Sequence, residues 1–320
     1  MINNLVVGGA GYTGSVLVKE LLLLNQKVTV IDKFLYDKNS LNTLKKNKNL
    51  TIINSDIFQY KKIKKTVKNY DYIYFLNGLV GDPVCRINKQ LTYKENVESI
   101  IFFLENFDLK ESKLIYPSSC SVYGLLEKPV DENSILNPQS LYAETKIQCE
   151  NILKKLNKKN CIILRLPTIY GFSLRNRFDL VVNKMTADCV INKLIKVYNP
   201  SSMRPLLSVN DLALIYINCQ TVKNKYRTYN IGSDQNNLSL EQIARNIAKI
   251  LVKKITSKIE FHDEIDDHRS YSIKLGRYNK EFNYNNFQSL EKEVIQMYNF
   301  IKSKKSNSFF SSKKYNNFLI

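Results

Sequence analysis

The 320-residue sequence has few of the side chains that bind transition metals. It contains two histidines and six cysteines, and no two cysteines form a Cys-x-x-Cys pair. The cysteines are scattered over the chain as Cys85, Cys120, Cys149, Cys161, Cys189 and Cys219. Structural zinc sites need closely spaced Cys and His ligands, so we expect no metal site. Scattered cysteines are typical of reduced thiols in a cytoplasmic protein.

Long apolar runs are also missing. No segment approaches the roughly 20 apolar residues that a transmembrane helix needs, so we expect no membrane partner. From Met1 the chain passes directly into an apolar strand pattern, without the basic leader that is typical of a signal peptide. These absences favour a cytoplasmic location.

Acidic residues are in the minority. The chain has 48 Lys and Arg against 29 Asp and Glu, which gives a formal net charge of +19. Such a charge raises the question of nucleic-acid binding. The lysines, however, are spread along the whole chain and mixed with Asn and Ile. We therefore predict a solvated lysine-rich surface that favours anionic substrates, and we keep nucleic-acid binding only as an alternative suggested by charge.

A glycine-rich segment follows the first apolar strand pattern, which covers residues 3–7. Gly8, Gly11 and Gly14 form a Gly-x-x-Gly-x-x-Gly motif, and an amphipathic helix pattern then covers residues 15–24. Glycine allows a tight turn, close approach of a pyrophosphate and close packing of helix on strand. The free N–H groups and the dipole at the start of the helix favour an anion. The motif therefore predicts a dinucleotide-binding site.

The second strand pattern, residues 27–31, ends in Asp32. A carboxylate at this strand end accepts hydrogen bonds from the adenosine ribose and repels a 2′-phosphate. Asp32 therefore favours NAD over NADP as the cofactor.

Strand and helix patterns alternate through the first half of the chain. Further strands are predicted at 50–54, 72–76, 113–116 and 161–166, and helices at 61–68, 88–107 and 142–157. This alternation predicts an α/β fold with a Rossmann-type doubly wound parallel sheet. Ligands bind such sheets at the carboxyl ends of the strands, which is where the sequence motifs fall.

Tyr142 and Lys146 stand four residues apart, so on a helix both side chains leave the same face. A neighbouring ammonium favours the ionised form of a phenol. The hydroxyl of Ser119, after the fifth strand pattern, could hydrogen-bond the same substrate oxygen. Together the three side chains could take the proton from a secondary alcohol while a hydride leaves its carbon. The alternative is an exposed Tyr and Lys pair in a chain rich in both.

These features, with later motifs, resemble the extended short-chain dehydrogenases/reductases of the nucleotide-sugar epimerase/dehydratase family. The motifs that carry the resemblance are the glycine motif, 118–124, Tyr-x-x-x-Lys, 165–171, 203–205, 209–213 and 269–271. Segments 80–85 and 175–183 resemble one branch of the family, which includes a GDP-heptose 4-dehydrogenase of capsule sugar synthesis.

The resemblance implies a division into two domains. The NAD-binding Rossmann domain would consist of residues 1–171 and 205–235. A smaller C-terminal domain that binds the nucleotide-sugar substrate would consist of residues 172–204 and 236–302. The tail, 303–320, would be weakly ordered or docked late. The family also implies a homodimer through helices 88–107 and 142–157.

The resemblance also implies roles for individual residues. Ser119, Tyr142 and Lys146 would be catalytic. The cofactor-binding residues would be Gly8, Gly11, Tyr12, Thr13, Gly14, Asp32, Asp56, Ile57, Leu76, Gly78, Leu79, Tyr142, Lys146, Pro167 and Ile169. The substrate-binding residues would be Ser119, Arg177, Asn183, Arg204 and Arg269. Guanidinium groups suit a diphosphate, although surface arginines are the alternative for Arg204 and Arg269. Asn96 matches a family position whose role is either functional or structural.

Cys120 and Ser121 bear on the reaction. In the family's 4,6-dehydratases an Asp-Glu pair follows the catalytic hydroxyl, so a thiol and a hydroxyl disfavour dehydration. Cys120 is either a small buried residue or an acid/base. We predict NAD-dependent oxidation at C4 of a nucleotide-diphosphate sugar, with 4-epimerisation through a 4-keto intermediate as the overall reaction. A net 4-dehydrogenase that releases the keto sugar and a non-catalytic NAD-binding regulator stay open, as do the nucleotide and the sugar.

Overall fold

The computed structural model describes residues 1–64, 69–109, 111–125, 128–156, 160–233, 236–263, 270–304 and 312–317. The predicted substrate residue Arg269 lies outside the described residues, as do residues 65–68 of a predicted helix.

Twelve strands occur in the described residues. They are β1 (Asn3–Val7), β2 (Lys27–Asp32), β3 (Leu50–Asn54), β4 (Tyr72–Phe75), β5 (Lys113–Ser119), β6 (Cys161–Leu166), β7 (Thr168–Tyr170), β8 (Leu194–Tyr198), β9 (Met203–Ser208), β10 (Thr228–Asn230), β11 (Asn237–Ser239) and β12 (Lys258–His262). Seven of them form a parallel sheet in the order β10-β6-β5-β4-β1-β2-β3. This sheet confirms the predicted Rossmann-type doubly wound fold. The order reverses between β1 and β4, which opens a crevice at their carboxyl ends.

Eleven α-helices accompany these strands in the described part of the chain. They are α1 (Tyr12–Leu23), α2 (Tyr60–Ile63), α3 (Asp82–Ile87), α4 (Lys89–Tyr93), α5 (Ser99–Asn106), α6 (Leu141–Leu153), α7 (Val181–Asn192), α8 (Val209–Asn218), α9 (Leu240–Leu251), α10 (Gly276–Glu281) and α11 (Leu290–Lys302). A π-helical segment, Lys94–Glu98, joins α4 to α5, so the predicted helix 88–107 is interrupted by one wider turn. Short α3 was not predicted, because six residues are too few to show a helical period.

The central sheet is buried on both faces. Leu17 of α1 and Leu212 of α8 belong to the apolar cluster on one face, and Phe103 of α5 and Cys149 of α6 belong to the cluster on the other. Helices on both faces explain why the inner strands are continuous apolar runs rather than alternating patterns.

A second, smaller core lies beyond the central sheet. Strands β11, β9 and β7 form one small sheet, and β12 pairs with β8 in another. Helices α7, α9 and α11 pack on them through an apolar cluster that includes Val182, Ile243 and Met297. Tyr315 also joins this cluster, and Lys314 pairs with Asp37 at 3.1 Å, so residues 312–317 of the tail are docked. The predicted domain boundaries stay a prediction.

A buried polar network lies below the predicted catalytic segment. The carboxylate of Glu150 accepts two hydrogen bonds from Arg165, at 2.9 and 2.7 Å, and one from Ser118 at 2.6 Å. Arg165 also donates to the hydroxyl of Tyr123, which donates to Asn230. Burial alone would raise the pKa of Glu150, but the hydrogen bonds and charge of Arg165 outweigh it and lower that pKa.

All six cysteines are buried and unpaired. In the described part of the chain, no helix is both long and apolar enough to cross a lipid bilayer.

We expect Arg165→Met to lower the free energy of unfolding by about 3–5 kcal/mol, because the buried Glu150 carboxylate would lose its buried ionic partner and keep only the more exposed Lys154, at 3.4 Å. Urea unfolding at neutral pH measures this loss. The double variant Glu150→Leu/Arg165→Met removes both charges and should lose less than Arg165→Met alone. Equal losses in the two variants would contradict the prediction.

Candidate active site

The glycine motif closes tightly against the end of β4. Gly8 has a φ of +82°, and a Cβ there would stand 2.8 Å from the carbonyl carbon of Leu76. A Cβ on Gly14 would stand 2.4 Å from the oxygen of Gly8. Both positions therefore require glycine. The third residue, Gly11, is the N-cap of α1 and has no side chain to cover the N–H groups of the first turn, where Tyr12 and Thr13 stand.

Asp32 ties the glycine loop to the end of β2. Its carboxylate accepts hydrogen bonds from the backbone N–H of Ala10 at 2.9 Å and of Phe34 at 2.7 Å. Burial raises the pKa of Asp32, while these two donors act in the opposite direction. An ionised carboxylate has about four acceptor positions, so two remain for ribose hydroxyls. Asp32 thus positions the loop in addition to the cofactor role predicted for it.

Asn96 fixes the segment that follows β4. Its side chain accepts from the N–H of Leu79 at 2.7 Å and donates to the carbonyl of Leu79 at 3.1 Å and to Thr145 at 3.2 Å. Gly78 has a φ of +137°, and a Cβ there would stand 2.8 Å from the Asn96 oxygen. Of the two roles considered for Asn96, the structure therefore favours the structural one.

These segments enclose one groove at the carboxyl ends of the strands. It is lined by Gly8, Ala10, Gly11, Asp32, Lys33, Phe34, Leu35, Tyr36, Asp37, Leu76, Asn77, Gly78, Leu79 and Glu95. Lys33 donates to Glu95 at 2.5 Å and lies 3.5 Å from Asp56, and Ile57 is buried beside it. A glycine cradle, uncovered helix N–H groups and an acid at the end of β2 fit an NAD dinucleotide.

The predicted pair on α6 is well placed. Ser140 caps the helix by accepting from the N–H of Ala143 at 3.2 Å, which puts Tyr142 in the first turn. Tyr142 is 8% exposed and packs with Leu79 of the groove wall. The ammonium of Lys146 lies 5.7 Å from the centre of the Tyr142 ring, so both side chains share one face as predicted.

The ammonium of Lys146 is fixed by two oxygen atoms of β5. Its ammonium donates to the carbonyl of Pro117 at 2.8 Å and to the hydroxyl of Tyr116 at 3.3 Å. Burial lowers the pKa of Lys146. The structure thus fixes the lysine at the carboxyl end of β5, next to Ser119.

Burial raises the pKa of the Tyr142 phenol well above its usual range, and Cys85 and Asp82 of α3 add to the effect. A hydrogen bond with Ser119 and the charge of Arg177 lower it. The Ser119 oxygen also accepts from the N–H and the hydroxyl of Ser121, at 3.1 and 2.9 Å. The arrangement can place a hydroxyl and a phenol on one substrate oxygen. Segment 80–85 was noticed as a motif, but its contact with Tyr142 was not predicted.

Cys120 points into the core. It is fully buried, its thiol donates to the carbonyl of Arg165 at 3.3 Å, and burial raises its pKa well above its usual range. These contacts favour a small buried residue over an acid/base.

Two of the predicted substrate-binding residues, Arg177 and Asn183, form contacts within the protein. Arg177 pairs with Asp179 at 2.5 Å and donates to the carbonyl of Val80 at 3.2 Å. Asn183 is buried and bonds to Gly171, Arg177 and Tyr12, so its amide joins the second core to the glycine loop. Tyr12 in turn donates to the carbonyl of Gly171 at 2.8 Å.

Three further predicted residues lie at β9 and at the junction of β6 and β7. Arg204 is buried at the start of β9 and donates to the carbonyl of Met203 at 3.0 Å. Pro167 and Ile169 stand at the β6–β7 junction. The binding roles of all the predicted residues stay predictions.

Sequence reasoning missed part of the groove wall. Phe34, Tyr36 and Asp37 line the groove, and their position directly after Asp32 was the available signal. Among the described residues, no group of three or more His, Cys, Asp or Glu side chains is placed to hold a metal ion.

The fold and the groove define a Rossmann-type dinucleotide-binding protein with a Ser-Tyr-Lys site. The chain belongs to the NAD dependent epimerase/dehydratase family, whose sequence profile matches residues 4–232. This membership confirms the expected family of NAD-dependent enzymes. The predicted homodimer stays a prediction.

Individual relatives agree with this assignment. The UDP-glucose 4-epimerase of Lactobacillus helveticus is 34% identical over 161 residues, which are 49% of this chain and 48% of that enzyme. The match thus spans about half the length of that relative. A putative UDP-glucose 4-epimerase of Methanocaldococcus jannaschii is 28% identical over 244 residues, 72% of this chain and 76% of that protein.

A solved structure shares the fold. The UDP-glucuronic acid 4-epimerase from Bacillus cereus, in complex with UDP-glucuronic acid and NAD, superposes with a TM-score of 0.82 at 23% identity. The likeness covers 94% of this chain and 99% of that chain.

We expect Gly14→Ala to weaken NAD binding about tenfold or more and to lower the melting temperature, because its Cβ would force the Gly8 backbone out of place. Titration calorimetry with NAD and thermal unfolding measure the two effects. Gly276→Ala is the matched control, since beyond its own stretch of chain no described residue has an atom within 4 Å of a Cβ there. Equal behaviour of the two variants would count against a tight glycine cradle.

Proposed function

We propose that this protein uses NAD to oxidise the C4 hydroxyl of a nucleotide-diphosphate sugar and that it acts as a 4-epimerase. The observation that carries the proposal is the placement of Ser119, Tyr142 and Lys146 beside the groove formed by the glycine loop and Asp32. Tyr142 belongs to the same buried apolar cluster as Leu79, and Leu79 lines the groove. NAD, when bound, supplies the hydride acceptor.

The side chains of the chain supply the proton chemistry. Tyr142 acts as the general base that removes the proton of the C4 hydroxyl. Ser119 hydrogen-bonds the same oxygen and holds it at the phenol. Lys146 places a positive charge near the phenol and is itself fixed by Pro117 and Tyr116. Because the site is buried, each of these interactions is stronger than it would be in water.

Two observations support epimerisation over dehydration. The positions after Ser119 hold a buried thiol and a hydroxyl rather than two acids, and neither the Cys120 thiol nor the Ser121 hydroxyl is an ionised acid at neutral pH. The relatives with the names UDP-glucose 4-epimerase lend support from sequence. Epimerisation requires that the 4-keto sugar turn over in the site and that the hydride return to its other face.

A net 4-dehydrogenase that releases the keto sugar, such as one acting on a GDP-heptose, is the second candidate. It is favoured by segment 80–85, which resembles that branch and contributes Asp82 and Cys85 to the surroundings of Tyr142. A non-catalytic regulator is disfavoured because the three catalytic side chains are present and adjacent.

We expect Tyr142→Phe to lower kcat about 10²- to 10⁴-fold, since the general base is lost while the ring packing is kept. Incubation of NAD-loaded protein with UDP- and GDP-sugars, followed by NMR, measures turnover and identifies the product. A C4 epimer without a keto product supports the epimerase, and an accumulating 4-keto sugar supports the dehydrogenase. Tyr198→Phe, at an exposed ring, is the control. Unchanged turnover in Tyr142→Phe would remove the catalytic assignment.

The pH dependence should report the hydrogen bond between Ser119 and Tyr142. A general base works only when it is deprotonated, so log kcat/KM should rise with pH until the pKa of Tyr142 is reached. Ser119 lowers that pKa, so Ser119→Ala should move the rising limb to higher pH in addition to lowering the rate. Profiles of kcat/KM against pH for wild type and variant measure the shift. A limb that moves to lower pH, or stays in place, would contradict this coupling.

A further inference from the structure

Arg175, in the loop between β7 and α7, is a buried arginine whose guanidinium is not fully hydrogen-bonded within the described residues. Its side chain is 2% exposed, and in the described part of the chain Nε and Nη2 have no hydrogen-bond partner. Buried guanidinium groups are normally paired, because an unmet donor loses its hydration without compensation. A group of this kind is a candidate for binding something that the protein itself does not supply.

The backbone of Arg175 is anchored to the start of α1. Its N–H donates to the hydroxyl of Ser173 at 3.2 Å, and Ser173 donates to the carbonyl of Tyr12 at 2.7 Å. Ser173 also lies 3.0 Å from the hydroxyl of Ser15. The loop is therefore fixed to the first turn of α1, whose N-cap residue Gly11 lines the cofactor groove.

The side chain of Arg175 packs against a residue that lines that groove. Its guanidinium lies over the ring of Tyr36, 4.2 Å from the ring centre, and Tyr36 lines the groove together with Gly11 and Asp32. The charge of Arg175 is close enough to act on Asp32. Arg175 thus stands between the first turn of α1 and the segment that follows β2.

The nearby carboxylates already form ion pairs with other side chains. Asp179 pairs with Arg177, and Asp37 pairs with Lys314. Burial, together with the like charge of Arg177, lowers the pKa of Arg175 to about 10, so the group is still charged at neutral pH. The site therefore holds a positive charge and free N–H donors next to a helix start, which is the environment that an anionic oxygen requires.

We propose that Arg175 binds the diphosphate of the dinucleotide cofactor from the side opposite the first turn of α1. The loop between β7 and α7 then supplies a phosphate ligand to a site otherwise formed by β1, α1 and β2. This inference rests on NAD as the cofactor and not on the proposed C4 chemistry.

The test compares the affinities of the full chain for NAD, ADP and adenosine by titration calorimetry. Arg175→Met should weaken NAD and ADP about 10- to 100-fold and leave adenosine unchanged, because only the first two carry a diphosphate. Arg175→Lys keeps the charge without the planar fork and should give intermediate affinities. Arg86→Met, at an exposed arginine of α3, is the matched control and should bind all three ligands as wild type does.

Stability without ligand gives a second readout. Removing an unsatisfied buried charge should leave the melting temperature of ligand-free Arg175→Met unchanged or raised, while the rise caused by NAD becomes smaller. A ligand-free variant that melts lower than wild type would indicate a structural role and overturn the proposal. Arg175→Gln, which keeps N–H donors without the charge, repeats the ADP and adenosine comparison in a second variant and should also lose affinity for ADP but not for adenosine.

Three binding outcomes would also overturn the proposal. They are unchanged affinity for NAD and ADP, an equal loss for adenosine, and, in parallel titrations with UDP and GDP, a loss confined to these two nucleotides, which would place Arg175 at the substrate diphosphate. None of these measurements uses a sugar substrate. Failure of this inference is therefore distinguishable from failure of the proposed reaction, which Tyr142→Phe tests by turnover.

Discussion

The close approach of backbone at Gly8 and Gly14 is the constraint on which the site depends. With no Cβ at either position, the loop after β1 can lie against the end of β4 and α1 can start directly above it. Asp32 then reaches the N–H of Ala10, and the groove has a floor made of backbone. On this floor a dinucleotide diphosphate would meet backbone N–H groups, with the proposed contact from Arg175 on its other side, so the glycines are a chemical as well as a steric requirement.

The reactive groups share a second property, which is burial. It raises the pKa of Tyr142 and lowers that of Lys146, so burial acts against the ionised form of each side chain. Forming the phenolate thus depends on neighbours that act against burial, and the structure provides the hydrogen bond of Ser119 and the charge of Arg177. Arg177 is in turn fixed by Asp179. The arrangement of charges around Tyr142 therefore includes residues on both sides of the crevice.

The sequence was informative where structure is local. Alternating strand and helix patterns predicted the parallel sheet, and spacing alone put Tyr142 and Lys146 on one face of α6. It was uninformative where a residue acts through a partner that is distant in sequence. The side chain of Asn96, for example, hydrogen-bonds to the backbone of Leu79 and to Thr145, which stands 49 positions later. The hydrophobic periodicity of the sequence does not predict such hydrogen bonds, because they form only when the helices and strands pack together. For the same reason the sequence does not mark Arg175, whose signal is that its Nε and Nη2 have no hydrogen-bond partner among the described residues.

The hydrogen bonds of Tyr12 to Gly171 and of Ser15 to Ser173 join residues 159 and 158 positions apart. During synthesis the chain emerges from its first residue onward, so the glycine loop is made long before these partners exist. The first helix and strand can form early, since their contacts are local. The cofactor groove, by contrast, acquires its full set of contacts only after residue 173 has been translated, so a nascent chain that ends at residue 150 carries the motif without the finished site.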